Sequence, residues 1–415
     1  MSLWRNRDFL KLWAGQTVSE IGSRISREGL PLTAVLLLHA SAFQMGWLVA
    51  ATGVAAVVAA PLSGALADRS AHRPVLVAAD LARAALLFTV PYLAATNRLT
   101  MTALLVLTTL TGFLTVMFDV HYQAFLPRIV TGDDLLEGNQ KLALTASTAE
   151  VVGPGLTGAL VQALTAPVAI LFDAFSFLVS AVSIAWIRNE AKSVAAPQHP
   201  EAEWHGILGG YRYVFATPVL RAVLLRTLTL ALFGGFFAGL YILYAIRDLG
   251  IGPAVLGGVI ALGGVANLFG ALVARKLEQR WSVGQVLIGA TLVGGVGAML
   301  IPLATRPWWA GALCLGASQL LGDVSYPVYS IYEITLRQQI TPPHLLGRVN
   351  GCMQLFTKGL YPVGALVGGL LADQVGIRTV LFVAAAGVTA SAGWLIFSPV
   401  RYLRAFDTPS TAPVN

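Results

Sequence analysis

Long apolar runs alternate with short polar breaks along almost the whole chain. A bilayer crossing needs about 20 apolar residues. Twelve stretches meet that length, at 9–38, 44–66, 75–96, 102–126, 140–163, 167–187, 219–245, 253–274, 283–303, 308–333, 349–372 and 378–398. The breaks hold turn formers and charges. One break is much longer than the others, from Arg188 to Pro218, and contains Lys192, Pro197, Pro200, Glu201, Glu203 and His205. It divides the chain into an amino-terminal bundle of six spans (1–187), a linker (188–218), a second bundle of six (219–400) and a tail (401–415). Within the linker, Trp204 to Phe215 carries aromatic and aliphatic residues at helical spacing. That pattern predicts a short amphipathic helix lying on the membrane surface.

Composition agrees with an integral membrane protein. Of 415 residues, 56% are hydrophobic and 11% charged, where a soluble domain carries roughly 25% charged residues. Mean hydropathy is +0.73. The 42 glycines and 20 prolines suit packed membrane helices, where close backbone approach helps and proline is tolerated. The formal charge of +7 reflects topology and not nucleic-acid binding. Arg5, Arg7, Arg69, Arg73, Arg128, Arg188, Lys192, Arg212, Arg275, Lys276, Arg280, Arg337, Arg348, Arg401 and Arg404 all fall at one set of alternating ends. The opposite ends hold Arg98, Arg247, Arg306 and Arg378. By the positive-inside rule both termini lie in the cytoplasm. The first apolar stretch is long and interrupted by charge, so it reads as a retained span and not a cleaved signal. Cys314 and Cys352 lie in apolar segments without metal-ligand spacing. No phosphate-binding loop, zinc motif or catalytic domain is present, so no cofactor and no enzymatic activity are expected.

Two weak internal matches suggest homologous halves. Gly64-Ala-Leu-Ala-Asp-Arg returns as Gly270-Ala-Leu-Val-Ala-Arg275. Ile129, Leu135 and Asn139 return at one constant offset as Ile340, Leu346 and Asn350. Parallel repeats of this kind flank a central pathway in many transporters.

Between the second and third spans stands Gly64-Ala-Leu-Ala-Asp68-Arg69-Ser-Ala-His72-Arg73. Its spacing resembles the cytoplasmic loop between helices 2 and 3 of major facilitator superfamily transporters. Further segments resemble the bacterial efflux branch that includes macrolide and siderophore exporters. They are Pro127-Arg-Ile-Val, Asp173-Ala-Phe-Ser-Phe and Gly210-Tyr-Arg-Tyr-Val-Phe. Gly153-Pro154-Gly155 with Gly158 resembles the antiporter motif, with Thr157-Gly158 where the family form has two adjacent glycines. The resemblance implies an all-α protein of twelve transmembrane helices in two pseudo-symmetric halves, working by alternating access. It implies a gate formed by Gly64, Asp68, Arg69 and Arg73, which Asp80 and Arg83 would join as a charge network.

Charges inside spans are expensive and need a reason. The first span carries Glu20, Arg24, Arg27 and Glu28, with i,i+4 steps from Glu20 to Arg24 and from Arg24 to Glu28. These form one stripe that must avoid lipid. It is either a site for proton exchange or an ion-paired stripe that fixes packing. Asp119 and Glu150 are further proton-coupling candidates. Asp119 and His121, two residues apart, cannot face each other on a helix. Asp323 and Lys358 are the matching buried charges of the second half and are expected to pair. Asp173 reads as the cap of the sixth span. Phe233, Phe237, Tyr241, Tyr326 and Tyr329 recur at helical spacing, as a pocket for a bulky apolar or cationic compound or as ordinary core.

The expected function is therefore proton-coupled efflux of a small amphipathic compound such as a drug, siderophore or metabolite. The expected setting is the cell inner membrane, as a monomer contacting the lipid bilayer, protons and a small-molecule substrate. A lipid translocator, a proton-coupled importer and a non-transporting membrane sensor or assembly partner are the alternatives.

Overall fold

The computed structural model describes residues 3–67, 71–130, 134–187 and 204–404, and every regular element among them is helical. The long helices are α1 (Arg7–Leu36), α2 (Ala42–Ala67), α3 (His72–Ala95), α4 (Met101–Ile129), α5 (Asp134–Ala163) and α6 (Ala166–Ala185). After the linker come the shorter α7 (Trp204–Ala216), then α8 (Pro218–Leu243), α9 (Pro253–Leu277), α10 (Val283–Leu303), α11 (Trp308–Ile340) and α12 (Leu346–Val375). The last apolar stretch is broken into α13 (Ile377–Ala390) and α14 (Ala392–Ile396). Among the described residues, nine helices are long and apolar enough to cross a membrane. Helices α1, α5 and α11 are as long but carry acidic and basic residues within their length. Asp68, Arg69 and most of the linker lie outside the described residues.

The chain forms two compact units. The first comprises Met1–Pro197 with Ala245–Ala261, and the second Gln198–Tyr244 with Leu262–Asn415. Residues 245–261, expected in the second half, thus cluster with the first unit.

In the first unit α1 packs against α6 and α5, α3 against α6 and α4, and α2 against α4. Gly15, Gly22 and Gly29 line the α1–α6 seam at seven-residue spacing. A Cβ at each would press on Ser183, on Ser176 and Asp173, and on Ile170 respectively. Without hydrophobic drive between helices in lipid, such close backbone contact supplies the packing energy. The amino end of α1 is capped by Asn6, whose Oδ1 accepts from the Asp8 and Phe9 amides at 3.1 Å. Its Nδ2 donates to the carbonyl of Ile129, the last residue of α4, at 3.3 Å.

In the second unit α8 packs on α12 and α13, and α10 on α11 and α13. The predicted amphipathic helix forms as α7. Its Tyr213 hydroxyl donates to the carbonyl of Ile340, the last residue of α11, at 2.6 Å. The sequence repeat relates Ile129 to Ile340. In both units a side chain preceding the first long helix satisfies that exposed helix-end carbonyl.

Candidate transport site in the first unit

Arg24 does not pair along its own helix as the i,i+4 spacing suggests. It reaches across to α5, where its Nη2 lies 2.7 Å from Glu150 Oε2. Arg27 Nη1 approaches the other carboxylate oxygen at 3.5 Å. The crossing is made possible by Gly153, where a Cβ would occupy the space of the Arg24 Cβ and Cγ. One turn of α5 therefore supplies both a notch for the arginine stem and an acid for its head. Pro154 follows at once. It has no N–H to give the carbonyl of Glu150, so the helix is locally weakened at the acid. Arg24 Nη1 is buried and has no hydrogen-bond partner among the described residues. Glu28 is half-buried and within electrostatic reach of Arg27 and Arg24.

Glu20 lies one turn further along α1. It lines a cavity of about 530 Å³ with Gln16, Tyr122, Gln123, Asn139 and Thr145. Asp119 lies inside α4, as expected, with its side chain exposed and within electrostatic reach of Arg83 and Glu20. His121 points the other way, as the helical step requires. It is fully buried, with Nδ1 2.8 Å from the Met117 carbonyl and its ring edge-on to His72 at 5.5 Å.

Asp80 and Arg83, expected to join the loop charges, sit two to three turns inside α3 and pair with each other, while Asp68 and Arg69 lie outside the described residues. Both are buried. The Arg83 guanidinium lies 4.3 Å from the Phe118 ring centroid and 4.1 Å from that of Phe177. The Arg83 cation is thus enclosed by two π faces and one carboxylate. Of the loop motif, Arg73 is described: its guanidinium donates to the carbonyl of Ala185 at the end of α6. A cation at a helix carboxyl end also complements the helix dipole.

Asp173 is not a cap. Thr165 caps α6, accepting from the Val168 amide at 3.4 Å. Asp173 is buried two turns in, where Ser176 Oγ donates to its Oδ1 at 3.0 Å. Ser180, a further turn on, accepts from Gln16 Nε2 of α1 at 3.0 Å. The 173/176/180 spacing is one helix face, and it faces the polar and glycine positions of α1. That shared face was the signal in the sequence.

In the second unit Asp323 of α11 stands against Gly263 of α9, where a Cβ would meet its carboxylate. Lys358 is exposed on α12 and not buried as expected. The aromatic set is divided. Tyr329 is buried beneath the Arg226 guanidinium, 3.5 Å away, while Tyr326 is exposed. Phe233 packs on Phe236 at 5.4 Å and fills the space beside Gly387. Phe237 and Tyr241 are half-buried. Tyr329 is thus core, whereas Phe233, like Phe237 and Tyr241, is half-buried.

The profile of the Major Facilitator Superfamily matches residues 12–358, and the chain belongs to that family. Its relatives include the multidrug efflux pump Tap of Mycolicibacterium fortuitum, 28% identical over 341 residues, covering 78% of this chain and 79% of Tap. The enterobactin exporter EntS of Escherichia coli O1:K1 / APEC is 25% identical over 371 residues, covering 87% of this chain and 85% of EntS. Among solved structures, a bacterial homologue of the iron transporter ferroportin in an inward-facing state superposes with a TM-score of 0.73. It is 18% identical and covers 95% of this chain and 99% of that one. The nucleoside transporter NupG gives a TM-score of 0.75 at 14% identity, covering 94% and 98%. The chain is a transporter of this superfamily and not an enzyme.

The antiporter-like stretch makes a second backbone contact. A Cβ on Gly158 would strike the Pro253 carbonyl, and one on Gly257 would strike that of Pro154. Gln162 Oε1 accepts from the Ala254 amide beside them at 3.1 Å. Gly155, by contrast, has only an ordinary contact with Ala261. We expect Gly158→Ala to cost about 1–3 kcal/mol in forced separation and to depress transport strongly. Gly155→Ala should be tolerated. Transport rates of the two purified variants, compared at equal protein, check this; equal rates would remove the significance of the contact.

Proposed function

We propose that the protein is a proton-coupled exporter of a small amphipathic compound in the cell inner membrane. In this reading twelve helices cross the bilayer as two six-helix halves with both termini in the cytoplasm, and a monomer is the working unit. The observation that supports it most is the Arg24–Glu150 pair across α1 and α5, beside Gly153-Pro154 and with Glu20 and Glu28 on the same helix as Arg24. An arginine keeps its charge at all working pH values. A carboxyl group that gains or loses an arginine neighbour changes its proton affinity. Sliding α5 against α1 would alter that neighbourhood and so couple proton release to the exposure of the site. Asp119 and Asp323 would assist, while Asp68, Arg69 and Arg73 would hold one face closed. Tap is a multidrug efflux pump and EntS an enterobactin exporter, which supports the outward direction and the compound class.

The test is accumulation of a panel of drugs and siderophores in cells with and without the protein. Lower steady-state accumulation of at least one compound, lost on adding a protonophore, is expected. Unchanged accumulation across the panel, or a protonophore-insensitive decrease, would contradict the proposal.

A further inference from the structure

The second unit contains a cleft that the transport reading does not use. It lies where the first two turns of α8 meet the end of α13 and the short α14. Its volume is about 470 Å³, within the usual size range of small-molecule sites, and its walls include Pro218, Arg221, Leu225, Ala390, Trp394 and Phe397. Among the described residues, Arg221 is the only charged one in this wall. Its guanidinium forms no hydrogen bond or ion pair with any described residue. The apolar wall opens outward: Trp394 is 46% and Phe397 88% exposed. Trp394 is nevertheless fixed in place, because its Nε1 donates to Thr229 Oγ1 of α8 at 3.0 Å.

The surrounding surface is basic. Arg280, Arg401 and Arg404 are exposed at the same end of the unit, where the Gly284 amide of α10 bonds the Leu403 carbonyl at 3.1 Å. Among the described residues, Glu278 is the exposed acid nearest Arg280 in the chain. The cleft stands at the end of membrane-length helices, the depth at which tryptophan rings and arginines meet phospholipid headgroups. A free phosphate would need several donors. A cleft with one cation and a largely apolar wall suits a phosphodiester with hydrocarbon attached.

We propose that this cleft holds one anionic phospholipid, with its phosphate on Arg221 and its chains along Leu225, Trp394 and Phe397. The site is separate from the acids of the first unit and goes beyond the transport reading. A bound lipid here would clamp α8 to α13 and α14 and so tie the second unit to the charge of the surrounding leaflet.

Native mass spectrometry of the purified full-length protein tests this with phosphatidylglycerol, phosphatidylcholine and inorganic phosphate as probes. Wild-type protein is expected to retain one phosphatidylglycerol in preference to phosphatidylcholine, unaffected by added phosphate. Arg221→Gln should weaken retention about fivefold, as one surface cation contributes on this scale. Ala390→Phe, at an exposed position, should block the cleft while leaving Arg221 in place. Arg280→Gln, on the basic surface outside the cleft, should weaken retention less than Arg221→Gln does. Equal retention of the two lipids, displacement by phosphate, or undiminished retention in both Arg221→Gln and Ala390→Phe would overturn the proposal. Because lipid retention is read without any transport assay, its failure is distinguishable from failure of the efflux reading.

Discussion

Asp80→Ala should leave little stable protein. The carboxylate is 0% exposed and its partner Arg83 is 3% exposed. Removing the acid strands a guanidinium between Phe118 and Phe177 with Thr115 Oγ1, 3.4 Å away, as its hydrogen-bond partner. Breaking a buried pair from one side costs about 3–5 kcal/mol, a large part of a total stability of about 5–15 kcal/mol. Asp80→Asn keeps the shape and an acceptor, and should cost less. Asp80→Leu with Arg83→Met removes both charges and should recover much of the loss, since apolar replacement of a buried pair is often neutral. Thermal aggregation in detergent, followed by gel filtration, reads all three. Wild-type melting of Asp80→Ala would show that the pair is not structural.

Neutralising Glu150 should act on transport and leave folding nearly intact, because its side chain is 52% exposed. With Glu150→Gln, Arg24 loses its 2.7 Å partner and Arg27 its 3.5 Å partner. We expect gradient-driven transport to fall by at least about tenfold, corresponding to about 1.4 kcal/mol in the balance between states. Substrate binding should change little. Arg24→Ala should be as damaging, and Arg24→Lys intermediate, since lysine keeps the charge without the planar fork. Glu20→Gln and Glu28→Gln test the other two acids of α1. Exchanging the pair, Arg24→Glu with Glu150→Arg, separates the roles: recovery of transport would mean that the pair only joins the helices. Full transport by Glu150→Gln would place coupling elsewhere, with Asp119 and Asp323 the next acids to neutralise.

The helices were legible because burial in lipid demands an apolar run long enough to span it; every expected run but the last coincides with one long helix, and the last is broken into α13 and α14. Even α7 could be read, since its aromatic residues repeat at helical spacing. Charge partners were harder. The step from Arg24 to Glu20 or Glu28 is visible in one dimension, whereas the preference for Glu150 depends on the notch at Gly153, which exists only once α1 and α5 pack. Asp173 looked like a cap because it stands near the start of an apolar run; the actual cap, Thr165, lies about two turns earlier, directly before the buried Ala166 and Pro167. Asp80 and Arg83 were attached to the loop by proximity in sequence, but two to three turns of helix carry them into the core. Tyr326 and Tyr329 share helical spacing yet differ in exposure, because Arg226 of another helix covers only one of them.

The central claim is that an acid beside Arg24 exchanges protons in opposition to an exported compound. The most direct measurement uses the purified protein in liposomes containing a pH-sensitive dye, with a compound whose accumulation the protein lowers in cells. Adding that compound on one side should drive protons the opposite way at a constant ratio, and Glu150→Gln should abolish this counterflow. Compound transport without proton counterflow, or an unaltered counterflow in Glu150→Gln, would contradict the account.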